Sequence, residues 1–191
     1  MSWSLATITA PATEPVSLEE AKLHARIDAA EDNPLVQALI SAAREYCEDY
    51  LSKTIITTTI ELTLDEWPED CIINLPRPPL QSVTSIKYTD SDGTEHTLDA
   101  ADYVVSAETG RGRAYLKEIP AVTLREIGAI KVRYVAGYAS AAAVPQKIKQ
   151  AMKLLISQWD KNREASITGT ITTEVQFALR ALLDSERLVA L

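Results

Sequence analysis

The residues Asp65-Glu66-Trp67-Pro68-Glu69-Asp70 form the densest acidic cluster in the chain. Paired carboxylates can bind a divalent cation or share acid–base work in hydrolysis. The same residue types also make an ordinary solvated turn, since proline pre-sets its own φ and acids cap local amides. The turn is the expectation. Asp90-Ser91-Asp92-Gly93 resembles part of a calcium loop, but aligning Gly93 with the required glycine puts Tyr88 at the first ligand position and Asp99 at the last. A tyrosine is wrong there, so a hairpin turn is expected. Gly110-Arg111-Gly112-Arg113 offers amides and guanidinium groups to a phosphate. It lacks the spacing of a P-loop or dinucleotide fingerprint, and a β-turn with exposed arginines is expected instead.

Nucleophilic and metal chemistry find no better support. His24 falls on a predicted helix and His96 on a predicted hairpin. Each can titrate near neutral pH, but neither has an acid–nucleophile pattern beside it. No Gly-x-Ser-x-Gly or His-Glu-x-x-His motif is present in the sequence. Cys47 and Cys71 are too few for a disulfide framework or a zinc site, and both are expected as reduced structural thiols. No catalytic, cofactor-binding or metal-ligating residue is therefore expected.

The elements that would position any site come next. A chain of 191 residues with 46% hydrophobic content can bury one good core or two small ones. Its apolar runs fall short of the roughly 20 residues that span a bilayer, and Met1-Ser2-Trp3-Ser4-Leu5 lacks the form of a secretory signal, so cytosolic synthesis is expected. The net charge of −8 argues against an independent DNA binder. That charge is uneven. Residues 1–53 carry nine acids against four bases, whereas residues 145–163 carry Lys147, Lys149, Lys153, Lys161 and Arg163 against Asp160 alone. Blocks of opposite sign can attract within one subunit or between neighbours.

Ser17-Leu18-Glu19-Glu20 has the form of a capping box, with Pro15 preventing an earlier helix start. The helix is expected to reach about Ile27, presenting Leu18, Ala21, Leu23 and Ile27 as apolar surface. Asn33 and Pro34 suggest the cap and first turn of a longer helix. Leu35, Leu39, Ala42, Ala43, Tyr46 and Tyr50 recur at helical spacing there, with Arg44, Glu45, Glu48 and Asp49 mostly on the other side. Val36, Ile40 and Cys47 widen the stripe, which predicts cover from two directions. From Thr54 the period becomes two, and strands are expected near 59–65, 71–75, 82–89, 94–98, 102–106, 113–117 and 127–135. Pro76, Pro78 and Pro79 suggest a stiff extended connection. Pro145 opens a third helix with Ile148, Ala151, Met152, Leu155 and Trp159 in one stripe. Residues 164–173 read as a connector. A final helix begins near Thr173, with Thr173 and Gln176 as a second capping box and Phe177, Ala178, Leu182 and Leu183 on its apolar side.

The predicted class is α+β: a bundle of about four helices from residues 1–53 and 144–191, with an antiparallel β-rich domain, 54–138, inserted between the second and third long helices. Several segments taken in order resemble one family. They are Pro15-Val16-Ser17-Leu18-Glu19-Glu20-Ala21-Lys22-Leu23-His24, then Leu39-Ile40-Ser41-Ala42-Ala43-Arg44-Glu45-Tyr46, Asn74-Leu75-Pro76-Arg77-Pro78-Pro79-Leu80, Val132-Arg133-Tyr134-Val135-Ala136-Gly137-Tyr138 and Val144-Pro145-Gln146-Lys147-Ile148-Lys149. The sequence is similar to the head–tail connector, or head-completion adaptor, family of tailed bacteriophages.

That resemblance implies a non-enzymatic ring of identical subunits at the head–tail junction of a virion, made in the bacterial host cytoplasm. The ring would dock beneath the portal protein and receive a head-closure or tail-completion protein, with DNA passing through unread. No cofactor and no membrane are implied. The helices at 34–52 and 145–163 would form the ring scaffold, and the C-terminal segment would be a portal contact. Arg44, Glu45, Glu48, Lys147, Lys149, Lys153, Lys161, Arg163, Phe177 and Arg180 are the candidate interface residues. The competing classes are a β-rich module on a helical support that binds a glycan or peptide, and a hydrolase using the acids between Asp65 and Asp70.

Overall fold

The computed structural model describes residues 3–30, 32–107, 111–162 and 173–187. The chain divides into two compact units: residues 1–12 with 57–139, and residues 13–56 with 140–191. Strand and helix order is β1 (Trp3–Thr9), α1 (Leu18–Ala25), α2 (Asn33–Leu51), β2 (Thr58–Leu64), β3 (Ile72–Leu75), β4 (Leu80–Thr89), β5 (Glu95–Thr97), β6 (Tyr103–Ser106), β7 (Gly112–Leu116), β8 (Ile130–Ala136), α3 (Gln146–Lys161) and α4 (Thr173–Leu183). The fold is α+β, with antiparallel strands lying between the second and third long helices as expected.

The first unit holds a five-stranded sheet of order β1-β2-β8-β4-β5 and a three-stranded sheet of order β3-β7-β6. Strict alternation builds it: Ile60, Leu62 and Leu64 of β2 and Ile130, Val132 and Tyr134 of β8 are buried, while the residues between them are not. Successive strand side chains point to opposite faces, so one face of each strand enters the core. Ile86 of β4, Leu75 of β3 and Leu116 of β7 join the same cluster. Truncating Ile86, which has no exposure, to alanine costs about 2–5 kcal/mol. Tyr134 is buried among them and donates its hydroxyl to the carbonyl of Pro76 at 2.8 Å. Burial pushes that phenol well above its ordinary pKa.

The strand at Trp3–Thr9 pairs antiparallel with β2, so residues 1–53 are not wholly helical as expected. The signal was legible: seven residues rich in Trp, Leu, Ile and Thr, with no helix cap before them. The proline connection also differs. Arg77 adopts φ 55° and the Pro78 peptide bond to Pro79 is cis, which makes a bend rather than an extended run.

In the second unit α1 begins with both hydrogen bonds of a capping box. The Glu20 amide donates to Ser17 Oγ, and the Ser17 amide donates to Glu20 Oε2, each at 3.1 Å. The helix ends at Ala25, with Arg26 in the left-handed region at φ 59°. Ala21 and Ile27 are buried, but Leu23 is 83% exposed. Two residues on from Ala21 is about 200° around the helix, so Leu23 faces away from the core. Asn33 does not cap α2. The cap position is Asp32, and Asn33 Oδ1 instead accepts from Lys22 Nζ at 2.8 Å.

The buried stripe of α2 is Val36, Ile40, Ala43, Arg44, Cys47, Glu48 and Leu51. The sequence pattern centres on Leu35, Leu39, Ala42, Ala43, Tyr46 and Tyr50 and is widened by Val36, Ile40 and Cys47. Of these Val36, Ile40, Ala43 and Cys47 are buried, so the covered face is centred one position later than the spacing suggests. A shift of one residue turns the helix by about 100°, and both stripes are apolar enough to satisfy the pattern. The buried stripe of α3 is Ile148, Lys149, Ala151, Met152, Leu155 and Ile156. Trp159 is half-buried, its ring edge-on to Tyr46 at 6.2 Å. The connector at 164–172 and the capping side chain of Thr173 lie outside the described residues.

Candidate assembly surfaces and internal clamps

The acidic cluster between β2 and β3 is a turn. Asp65 Oδ1 accepts from the Gly128 amide at 2.7 Å, and Asp70 Oδ1 accepts from the Ile72 amide at 3.1 Å. Among the described residues no three His, Cys, Asp or Glu side chains converge as metal ligands. The Asp90 segment closes the β4–β5 hairpin, with Asp90 Oδ1 accepting from the amides of Asp92 and Thr94 and Gly93 at φ 85°. Asp90 Oδ2 meets His96 Nε2 at 2.8 Å, and the imidazole stacks on Tyr88. Hydrogen bonds from His96, Thr94 and Asp92 hold the Asp90 carboxyl below its usual range. His24 is exposed on α1.

Gly110 lies outside the described residues, and Arg113 is half-buried within β7 rather than exposed on a turn. Gly112 is needed for packing: a Cβ there would sit 2.8 Å from Leu80 Cβ. Cys47 is fully buried, and burial followed by the Glu48 carboxylate pushes its thiol up to about 12. Cys71 is half-buried and also unpaired.

Three of the residues expected on an outer helix face lie inside the helical unit. Arg44, Glu48 and Lys149 are each only 7% exposed. Arg44 donates to Glu14 Oε2 from Nε and to Glu48 Oε2 from Nη1, both at 2.9 Å. Burial alone lowers the guanidinium pKa, but Glu48, Glu14 and Glu45 together hold it above its ordinary value. Glu48 Oε1 accepts from the Ile55 amide at 2.8 Å, and Ser41 Oγ donates to Glu14 Oε1 at 2.9 Å. One arginine thus ties the segment entering the helical unit, at Glu14, and the segment leaving it, at Ile55, to α2. Breaking such a buried pair by removing one partner costs about 3–5 kcal/mol.

Within the β unit Gln81 acts in a parallel way. Its Nε2 donates to Thr57 Oγ1 at 2.8 Å and to the Gly137 carbonyl at 2.7 Å, and Thr57 Oγ1 donates to the Tyr138 carbonyl at 3.2 Å. Gln81 therefore staples together the strands by which the chain enters and leaves the insertion. Neither clamp was foreseen, because Glu14 and Gln81 lie far in sequence from the groups they hold.

The remaining expected interface residues divide into paired and exposed. Lys153 Nζ lies 3.7 Å from Glu20, so part of the opposite-sign attraction acts inside the subunit, between α3 and α1. Lys147 is exposed and donates to Ser185 Oγ at 3.0 Å. Glu45, Lys161, Phe177 and Arg180 are exposed, Phe177 by 66%, while Arg163 lies outside the described residues. Tyr50 donates to Asp184 at 2.6 Å, and this hydrogen bond raises the phenol pKa. Arg187 sits 5.3 Å over the Tyr50 ring. Lys53 lies 3.7 Å from Glu186. These contacts dock the turn after α4 against the end of α2.

The helical unit, interrupted in sequence by the antiparallel β insertion, commits Arg44 and Glu48 to an internal clamp and leaves Glu45, Lys147, Lys161 and Arg180 exposed. The chain belongs to the head completion protein family, which matches residues 14–179. Among the solved chains that share the fold are three from gene transfer agent particles. One, from the neck of an empty gene transfer agent (GTA) particle computed with C6 symmetry, gives a TM-score of 0.82 at 23% identity, covering 98% of this chain and 97% of that one. One from the virion of a native GTA particle gives 0.81 at 23%, covering 98% and 96%. One from the neck of a native GTA particle computed with C12 symmetry gives 0.72 at 24%, covering 98% and 97%. A comparison with curated proteins finds no match.

Proposed function

We propose that this protein is a non-enzymatic structural adaptor of a tailed phage or prophage. Copies form a ring beneath the portal protein and join the DNA-filled head to the head-closure or tail-completion component. Its place is the head–tail junction of the virion. The observation that carries this reading is the family match over residues 14–179, which takes in all of α1, α2 and α3 and the whole β insertion from β2 to β8. The fold shared with neck chains of symmetric particles supports it. Among the described residues no helix is long and apolar enough to cross a membrane.

A ring repeats one heterologous contact, in which one face of a subunit meets a different face of the next. The exposed Glu45 on α2 and the exposed Lys147 and Lys161 on α3 supply opposite charges for such a contact, with Phe177 and Arg180 of α4 as the portal-facing candidates. The buried Arg44 and Glu48 support such a contact from inside by fixing α2 to Glu14 and Ile55. A net charge of −8 suits passage of DNA, because a basic channel would hold the duplex with salt-dependent affinity. Electron microscopy of the purified protein, alone and mixed with a portal, tests the reading. Rings or capped portals are expected, weakening with salt. A chain that stays monomeric and leaves portals uncapped would refute it.

A further inference from the structure

A charged side chain taken out of water is ordinarily paired, because nothing else replaces its lost hydration. Among the described residues three charged side chains are buried: Arg44, Glu48 and Lys149. Arg44 and Glu48 hold each other. Lys149 is more than nine-tenths buried, at 7% exposure, yet among the described residues no hydrogen bond or ion pair reaches its ammonium. Glu20 of α1 lies beside Lys153, one turn further along α3, rather than beside Lys149. The ammonium is not sealed in. Among the described residues Trp67 Nε1 is the one fully covered side-chain nitrogen or oxygen without a partner, so Lys149 Nζ keeps an opening to solvent.

The helix that carries Lys149 also begins without its usual partners. Its cap position is Pro145, no side chain caps it, and its first turn holds no acid. The amides of Ile148 and Lys149 turn back to the Pro145 carbonyl at 3.0 and 3.3 Å, whereas those of Gln146 and Lys147 donate to nothing among the described residues. The amino end of a helix carries partial positive charge, which favours an anion and disfavours a cation. Lysine is an adverse choice there. Helical side chains lean toward the amino end, and a long one covers the turn before its own Cα. Lys149 lies four residues after Pro145, only about 40° around the helix from it. Its ammonium is therefore directed at the end where the two unpaired amides lie. Lys147 sits on the other side of the helix and donates to Ser185 Oγ at 3.0 Å.

We infer that the amino end of α3 is an oxyanion site, in which the Lys149 ammonium and the Gln146 and Lys147 amides hold one carboxylate or phosphate group. Such a group neutralises the buried charge and supplies the cap that the helix lacks. The site belongs to a single copy of the chain and does not depend on the ring reading.

Thermal melts and amide NMR spectra in sodium chloride, sodium phosphate and sodium acetate at matched ionic strength test it. Phosphate should raise the melting temperature of the parent above its value in chloride and shift the Gln146 and Lys147 amides. The same response to acetate would assign the site to carboxylates as well, and a response to phosphate alone to tetrahedral anions. Lys149→Met keeps the buried stem and removes the unpaired charge. It should melt no lower than the parent in chloride and bind phosphate at least about tenfold more weakly, the loss of one hydrogen bond to a charged group. Lys147→Met should keep the response. An equal effect in chloride, or an undiminished response in Lys149→Met, would mean an adventitious ion only and overturn the site. A Lys149→Met protein that unfolds, or melts well below the parent in chloride, would show that the ammonium is already partnered and overturn it too.

Discussion

Replacing Arg44 with methionine keeps most of the side-chain volume but removes the charge that links Glu14 and Glu48. The Glu48 side chain is 9% exposed and would retain the Ile55 amide at 2.8 Å as a partner. The Glu14 side chain is 28% exposed and can rehydrate. Most of the loss therefore falls on Glu48, an acid held in the core without its cation. Removing one partner of a buried pair costs about 3–5 kcal/mol, and the solvent access of Glu14 points to the lower end, about 3 kcal/mol. For a helical unit of this size that lowers Tm by more than about 10 °C. Hydrogen exchange should localise the effect: the amides of α2 and Ile55 lose protection, while those of β2 and β8 keep theirs. Replacing Glu48 with leucine as well should recover only part of the loss, because the Ile55 amide then lacks its acceptor at about 1–3 kcal/mol. A single variant within about 1 kcal/mol of the parent, well below a buried-pair loss, would refute the clamp.

Gly112→Ala should destabilise the β unit by about 1–3 kcal/mol, because the new methyl lies 2.8 Å from both Cβ and Cδ2 of Leu80; a thermal melt reads it, and Leu80→Ala, which removes Cδ2 but keeps Cβ, should relieve only part of the clash. Ser17→Ala removes one of the two capping-box hydrogen bonds and should cost about 1 kcal/mol in denaturant unfolding. Cys47 should resist alkylation at pH 8 until the protein is unfolded, since its thiol is buried and its pKa is pushed up to about 12; mass spectrometry of iodoacetamide adducts checks this. The Asp90 carboxyl is held below its ordinary pKa, so the hairpin's stabilisation is present above the unfolded carboxylate range and is lost as pH falls through the depressed folded value. NMR titration should show Asp90→Asn flattening that acid-side dependence.

The sequence by itself determined the element types, the capping box at Ser17, the hairpin at Asp90 and the insertion of strands between two long helices. Each of these is set by neighbours a few residues apart: alternation of two, spacing of three and four, a serine three residues before a glutamate. The family resemblance was legible for the same reason, as a series of local segments in order. Only the tertiary structure decided which of two adjacent apolar stripes on α2 faces inward, since a helix pattern states that a face exists but not what covers it. It also turned Arg44 and Glu48 from an expected surface into a clamp, and joined Trp3–Thr9 to a strand more than fifty residues away. Those outcomes depend on long-range contacts, where burial and hydrogen-bond satisfaction override local propensity.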